Sequence, residues 1–162
     1  LRAGADKVVI NTYAINHPEF LNEAAKKFGS QCIVLGVEAK RSGDNRWEAY
    51  TDGGREKTGV DAIEWIKKAI DLGVGEIMIM SIDQDGTKKG YDLELIKKVT
   101  AISPVPVIAH GGAGSFEDIL QVINEGKVDA ASAASVYHYE ILAISDVKKK
   151  LLLKKVNIRA CS

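Results

Sequence analysis

The stretch Leu72-Gly73-Val74-Gly75-Glu76-Ile77-Met78-Ile79-Met80-Ser81-Ile82-Asp83 carries three signals in succession. A glycine closes a helical pattern, an apolar run follows, and the run ends in polar residues. The same turn precedes two other runs, at Ala3-Gly4-Ala5-Asp6 and at Glu125-Gly126-Lys127-Val128-Asp129. Strands are predicted over 7–11, 32–40, 76–83, 105–110 and 130–136. They are rich in Val, Ile and Ala and show little alternation, as parallel strands buried on both faces do. Between them the apolar spacing is helical over 18–28, 62–72, 93–102 and 116–125, with a Lys-rich last helix over 147–155. Ser115 and Asp118 form a capping-box pattern at the start of one of these helices.

Five βα units imply either an open doubly wound sheet or the C-terminal five-eighths of a (β/α)8 barrel, since closure takes eight strands. The polar, Gly-rich segment 41–59, with Trp47, Ala49 and Tyr50 ahead of Asp52-Gly53-Gly54, reads as a hairpin inserted in a long βα loop. The chain, 1–162, is expected to be a single domain. Its opening at Leu1, inside what reads as the end of a helix, is expected to mark a truncation.

Composition narrows the function classes. The 162 residues are 46% hydrophobic and 27% charged, enough to bury a core. Lys plus Arg and Asp plus Glu number 22 each, and this balance argues against a nucleic-acid surface. No apolar run approaches the ~20 residues of a membrane span. Cys32 and Cys161 make neither a disulfide framework nor a metal pair, which points to a reduced, cytoplasmic setting. His17 and His138 have no partner at zinc-site spacing, and neither a metal nor a cofactor is expected.

Polar residues gather where the strands end: Asn11-Thr12, Glu38-Ala39-Lys40, Ser81 to Thr87, His110 to Gly114, and Ala134-Ser135. In α/β folds these ends line the ligand site. The turn Gly111-Gly112-Ala113-Gly114 leads from strand to helix and suits an oxyanion, the alternative being a tight turn and nothing more. Glu38 follows a buried run and reads as a general acid or base, or as an ion pair with Lys40 or Arg41. Asp83 and Asp85 share a face if their strand persists; otherwise Asp85-Gly86 is a turn.

The ordered set Gly4 to Thr12, Phe28 to Gln31, Gly75-Glu76-Ile77, Ser81 to Thr87, Gly90-Tyr91-Asp92, Gly111 to Gly114 and Ala133 to Val136 resembles the cyclase subunit of imidazole glycerol phosphate synthase, an enzyme of histidine biosynthesis. That family is a (β/α)8 barrel, and the likeness runs over its strands four to eight. The resemblance implies a lyase that takes ammonia from a glutaminase subunit. It joins the ammonia to a bisphosphorylated nucleotide-like substrate, giving imidazole glycerol phosphate and aminoimidazole carboxamide ribotide.

By resemblance, Asn11 and Thr12 belong to one phosphate site, and Gly86, Gly112, Ala134 and Ser135 to the other, which Gly111 joins from the reading of the glycine turn. Lys7 and Glu76 match a charged ammonia gate at the barrel bottom, and Asp6 lies beside the glutaminase interface. The family's two catalytic aspartates lie on strands one and five, and Glu38 occupies the strand-five place. The strand-one acid has no counterpart in this sequence, so this chain alone is expected to be inactive. Asp85 is the other candidate catalytic residue, read from the chain itself. Met80 and His110 stand where the family usually has Thr and Ser. These departures raise a second reading, a paralogous ammonia-accepting barrel serving a surface-sugar amidotransferase. A third is a non-catalytic half-barrel that associates through exposed strand edges.

Overall fold

The computed structural model describes residues 1–159; Cys161 lies outside them. Among the described residues there are seven strands in one sheet and seven α-helices. In chain order they are β1 (Val8–Ile10), α1 (Thr12–Asn16), α2 (Glu19–Phe28), β2 (Ile33–Gly43), β3 (Arg46–Thr51), β4 (Glu56–Asp61) and α3 (Ala62–Asp71). There follow β5 (Glu76–Ser81), α4 (Leu93–Ile102), β6 (Val107–His110), α5 (Phe116–Asn124), β7 (Ala130–Ser132), α6 (Ser135–His138) and α7 (Ile144–Leu153).

Strands β1, β2, β5, β6 and β7 are parallel and neighbour one another in sequence order. No order reversal occurs among them, so the sheet has no switch point of the doubly wound kind. The expected choice between two architectures therefore falls to the (β/α) barrel type. One face of the sheet carries Ile33, Leu35, Val37, Ala39, Ile77, Ile79, Val107 and Ala109, all almost fully buried in the main core. Leu21 of α2, Ile66 of α3, Leu95 and Val99 of α4 and Val122 of α5 complete that core. The opposite face is only half covered: Met78, Met80, Ile108 and His110 are partly exposed and Val9 is 56% exposed. The expectation of burial on both faces thus holds for the helix-packed side alone.

The polar segment does not hang as a loop. β2 runs on to Gly43, turns through Asp44-Asn45, and pairs antiparallel with β3, which pairs antiparallel with β4. The arm therefore extends beyond the expected 41–59, to Asp61, which then caps α3 by accepting from the N–H groups of Ile63 and Glu64. Trp47 is fully buried, and its Nε1 donates to Asp92 Oδ2 at 3.2 Å. Arg41 stacks on the Trp47 ring and pairs with Glu94 at 2.7 Å, which holds the Glu94 carboxyl below the usual range.

β1 is one residue shorter at each end than the expected 7–11, β2 runs over Ile33–Gly43 rather than 32–40, and three further strand limits differ from the sequence reading. The strand expected from Val105 starts at Val107, because Pro106 has no N–H for the ladder. The strand expected over 76–83 ends at Ser81, where the Asp85 N–H donates back to the Ser81 carbonyl. The strand expected over 130–136 ends at Ser132, and Val136 lies fully buried in α6. Ala and Ser pack a pleated surface poorly, so the chain leaves the sheet early.

Candidate active site

Register puts one row of side chains across five strands. Tyr50 pairs with Glu38, Glu38 with Met80, Met80 with His110, and His110 with Ser132. Residues directly in register share a face, so this row lies on the half-covered face at the C-terminal ends of the parallel strands.

Glu38 sits in the middle of the sheet. Its Oε2 accepts from Asn11 Nδ2 at 3.0 Å and from the Gly54 N–H at 2.8 Å. The ion pairs considered for it with Lys40 or Arg41 do not form; Arg41 is turned to Glu94 and Asp92. Gly36 makes the Asn11 contact possible. A Cβ there would stand 2.9 Å from Val9 Cγ1 and 3.5 Å from Asn11 Cβ, so the missing side chain leaves Asn11 room to cross β2. Thr12 Oγ1 accepts from the Asp52 N–H at 3.1 Å, so the arm tip bonds both to the end of β1 and to Glu38.

On the other side of β5, a small pocket is lined by Asp85, Gly86, His110, Gly111 and Gly112, with Ala134 and Ser135 opposite. Asp83 and Asp85 do not share a strand face; Asp83 accepts from the Arg41 N–H at 2.8 Å, and Asp85 turns to the pocket. The N–H groups of Gly114 and Ser115 both donate to Asp118, so part of the α5 terminus is already satisfied internally. The N–H groups of Gly112 and Ala113 have no protein acceptor among the described residues. Gly112, at φ +101°, is also required by packing, because a Cβ there would strike the Gly90 carbonyl. Ser132 receives two contacts: His110 Nδ1 lies 3.1 Å from its hydroxyl, and the Tyr91 hydroxyl donates to its carbonyl at 2.9 Å. Burial pushes the Tyr91 phenol well up, so it stays a donor.

At the N-terminal ends of the strands, Lys7 Nζ meets Glu76 Oε2 at 2.8 Å, with Asp6 exposed beside them. A larger cavity of about 730 Å³ lies near β7, lined mainly by apolar side chains such as Ile119, Ile123, Val147 and Leu151. The expected site residues therefore fall into three groups: Glu38 with Asn11 and Thr12, Asp85 with the glycine turn and Ser135, and Lys7 with Glu76. Ser132 and the Gly54 N–H join them. The run Asp52-Gly53-Gly54 was the signal available for the second; Ser132, inside an Ala-Ser run, offered none.

The family described as histidine biosynthesis protein matches residues 1–143. The chain belongs to this family. A relative, the imidazole glycerol phosphate synthase subunit HisF of Lachnoclostridium phytofermentans, is 51% identical over 160 residues, 98% of this chain. The chain spans 62% of that relative's length. Among the described residues no helix is long and apolar enough to cross a membrane. The barrel-type sheet agrees with membership of this family.

Proposed function

We propose that this chain is the ammonia-using cyclase part of imidazole glycerol phosphate synthase, acting in the cytoplasm beside a glutaminase subunit. The observation that carries this reading is the position of Glu38. Its carboxylate is fixed in the middle of the strand-end row, with Asn11 and Thr12 on one side and the glycine-turn pocket on the other. A substrate phosphorylated at both ends would span that face, with its reacting atoms over β2 and β5. Glu38 Oε2 holds two donors, which leaves Oε1 to take or give a proton during ring closure. The pair's other carboxylate belongs to strand one of the full barrel. Asp85 stands as a further candidate carboxylate at the glycine-turn pocket, and Lys7 with Glu76 gates ammonia arriving from the partner docked near Asp6.

A second reading is favoured by one relationship. Glu38, Met80 and His110, the three departures from the family's usual pattern, are adjacent members of one row. Changes clustered in this way suit an altered substrate, as in a surface-sugar amidotransferase.

The test is made on this chain joined to the first three strands of the Lachnoclostridium relative. The expected result is formation of imidazole glycerol phosphate with ammonium salts. Lys7→Ala should spare that reaction and impair the glutamine-dependent one. A well-folded fusion that turns over no histidine-pathway substrate would overturn the first reading in favour of the second.

A further inference from the structure

His110 ends β6 with each ring nitrogen facing a different group. Nδ1 is 3.1 Å from Ser132 Oγ, and Nε2 is 4.0 Å from Asp85 Oδ1, beyond hydrogen-bond range. The His110 side chain is 20% exposed and that of Asp85 53%, and both line the pocket of the glycine turn. An anion in that pocket meets the Asp85 carboxylate, and like charges repel. A neutral imidazole does little to offset this. An imidazolium donates from both nitrogens and adds a positive charge.

We propose that His110 binds the anionic group of the ligand as an imidazolium, so that anion binding at this pocket takes up a proton. The inference rests on the phosphate reading above and adds to it a residue and a dependence on pH. Ser132 suits the role, since its hydroxyl can donate to a neutral Nδ1 or accept from a protonated one. The other charged and titratable groups nearby are few. Glu38 is two strands away in the same row. Tyr91 is held on the Ser132 carbonyl, Asp118 on the N–H groups of Gly114 and Ser115, and Lys88 over the Tyr139 ring. No lysine or arginine forms an ion pair with Asp85 among the described residues, and His110 is the basic side chain that faces it.

Sulfate tests this, because it remains a dianion throughout the range in which imidazoles titrate. Its binding to the full protein is measured calorimetrically from pH 5.5 to 8.5, in buffers of different ionisation heat, for the wild type and His110→Gln. The wild type should bind about tenfold more weakly at the alkaline end, with heats that vary with the buffer. His110→Gln should bind with little dependence on pH. A wild-type affinity that is flat across the range, without buffer-dependent heat, overturns the role of His110 and leaves the anion pocket standing. Absence of sulfate and inorganic phosphate binding at every pH overturns both. A flat wild-type profile overturns the proposal whether or not the variant folds, and a pH dependence retained in folded His110→Gln assigns the proton to another group, such as His138 of α6, and overturns it as well.

Discussion

The backbone N–H of Gly54, at the tip of the arm, donates to Oε2 of Glu38 at 2.8 Å. Asn11 reaches the same oxygen from β1 at 3.0 Å. Two elements distant in sequence thus converge on one carboxylate oxygen, and the full length of a glutamate side chain is needed to meet them.

Glu38→Asp should therefore lower ammonia-dependent turnover. Aspartate is the residue that the family resemblance places at this position, but it lacks the reach of Glu38. With the shorter chain both contacts are lost and the carboxylate withdraws by about 1 Å, a displacement that can cost roughly a hundredfold. Steady-state kinetics on the barrel fusion measure this. A raised kcat would show that the Asn11 and Gly54 contacts do not hold the reacting geometry.

The glycines of the second pocket are not equivalent. A Cβ on Gly112 collides with the Gly90 carbonyl, whereas one on Gly86 meets nothing within 4 Å. Gly112→Ala should lose roughly 2–4 kcal/mol of stability, so it is a poor probe of anion binding. Gly86→Ala should lose only about 1 kcal/mol, from its positive φ, while weakening sulfate binding. Thermal melts beside calorimetry separate the two effects. Equal losses of stability in both variants would contradict the geometry.

Asp92 is the anchor of the arm. Its carboxylate accepts from Trp47 Nε1 at 3.2 Å, from Ser81 Oγ at 3.3 Å and from the Leu95 N–H at 3.1 Å, and it is buried. Asp92→Ala removes a helix cap and strands two buried donors, for an expected loss of about 3 kcal/mol. Trp47→Phe removes one donor and should cost less. Because the two residues touch, the double variant should lose less than the sum of the single ones in urea denaturation. Simple additivity would show that the Trp47–Asp92 bond contributes nothing.

These contacts mark where a one-dimensional reading stops. The parallel strands were legible because Val and Ile runs between glycine turns have few other uses. The capping box at Ser115 and Asp118 was legible because both of its bonds are local. The limits of β6 and β7 were misread at Pro106 and at Val136, where one missing N–H and two poor strand formers outweighed the apolar pattern. The Glu38–Gly54 and Trp47–Asp92 bonds join positions 16 and 45 residues apart. No periodicity encodes such distances; they follow from how β3 folds back along β2. His110 was noticed for its place before the glycine turn, but its partner Ser132 became visible only through the β6–β7 register.

The two ends of the parallel order invite association. Among the described residues β1 pairs only with β2 and β7 only with β6, and the face between them leaves Val9 56% exposed. Unpaired parallel edges beside half-covered apolar side chains are templates for strand addition. The 162-residue chain, purified alone, should therefore form oligomers whose size rises with concentration. Val9→Lys places a charge on the open face next to one edge, far from the helix-packed core, so it should shift the distribution toward monomer without lowering the melting temperature of the core. Sedimentation velocity across a hundredfold range of concentration makes the measurement. A monomer at every concentration would mean that the short edges, three residues in each of β1 and β7, are too brief to pair, and the reading of the chain as an associating half-barrel would fall with it.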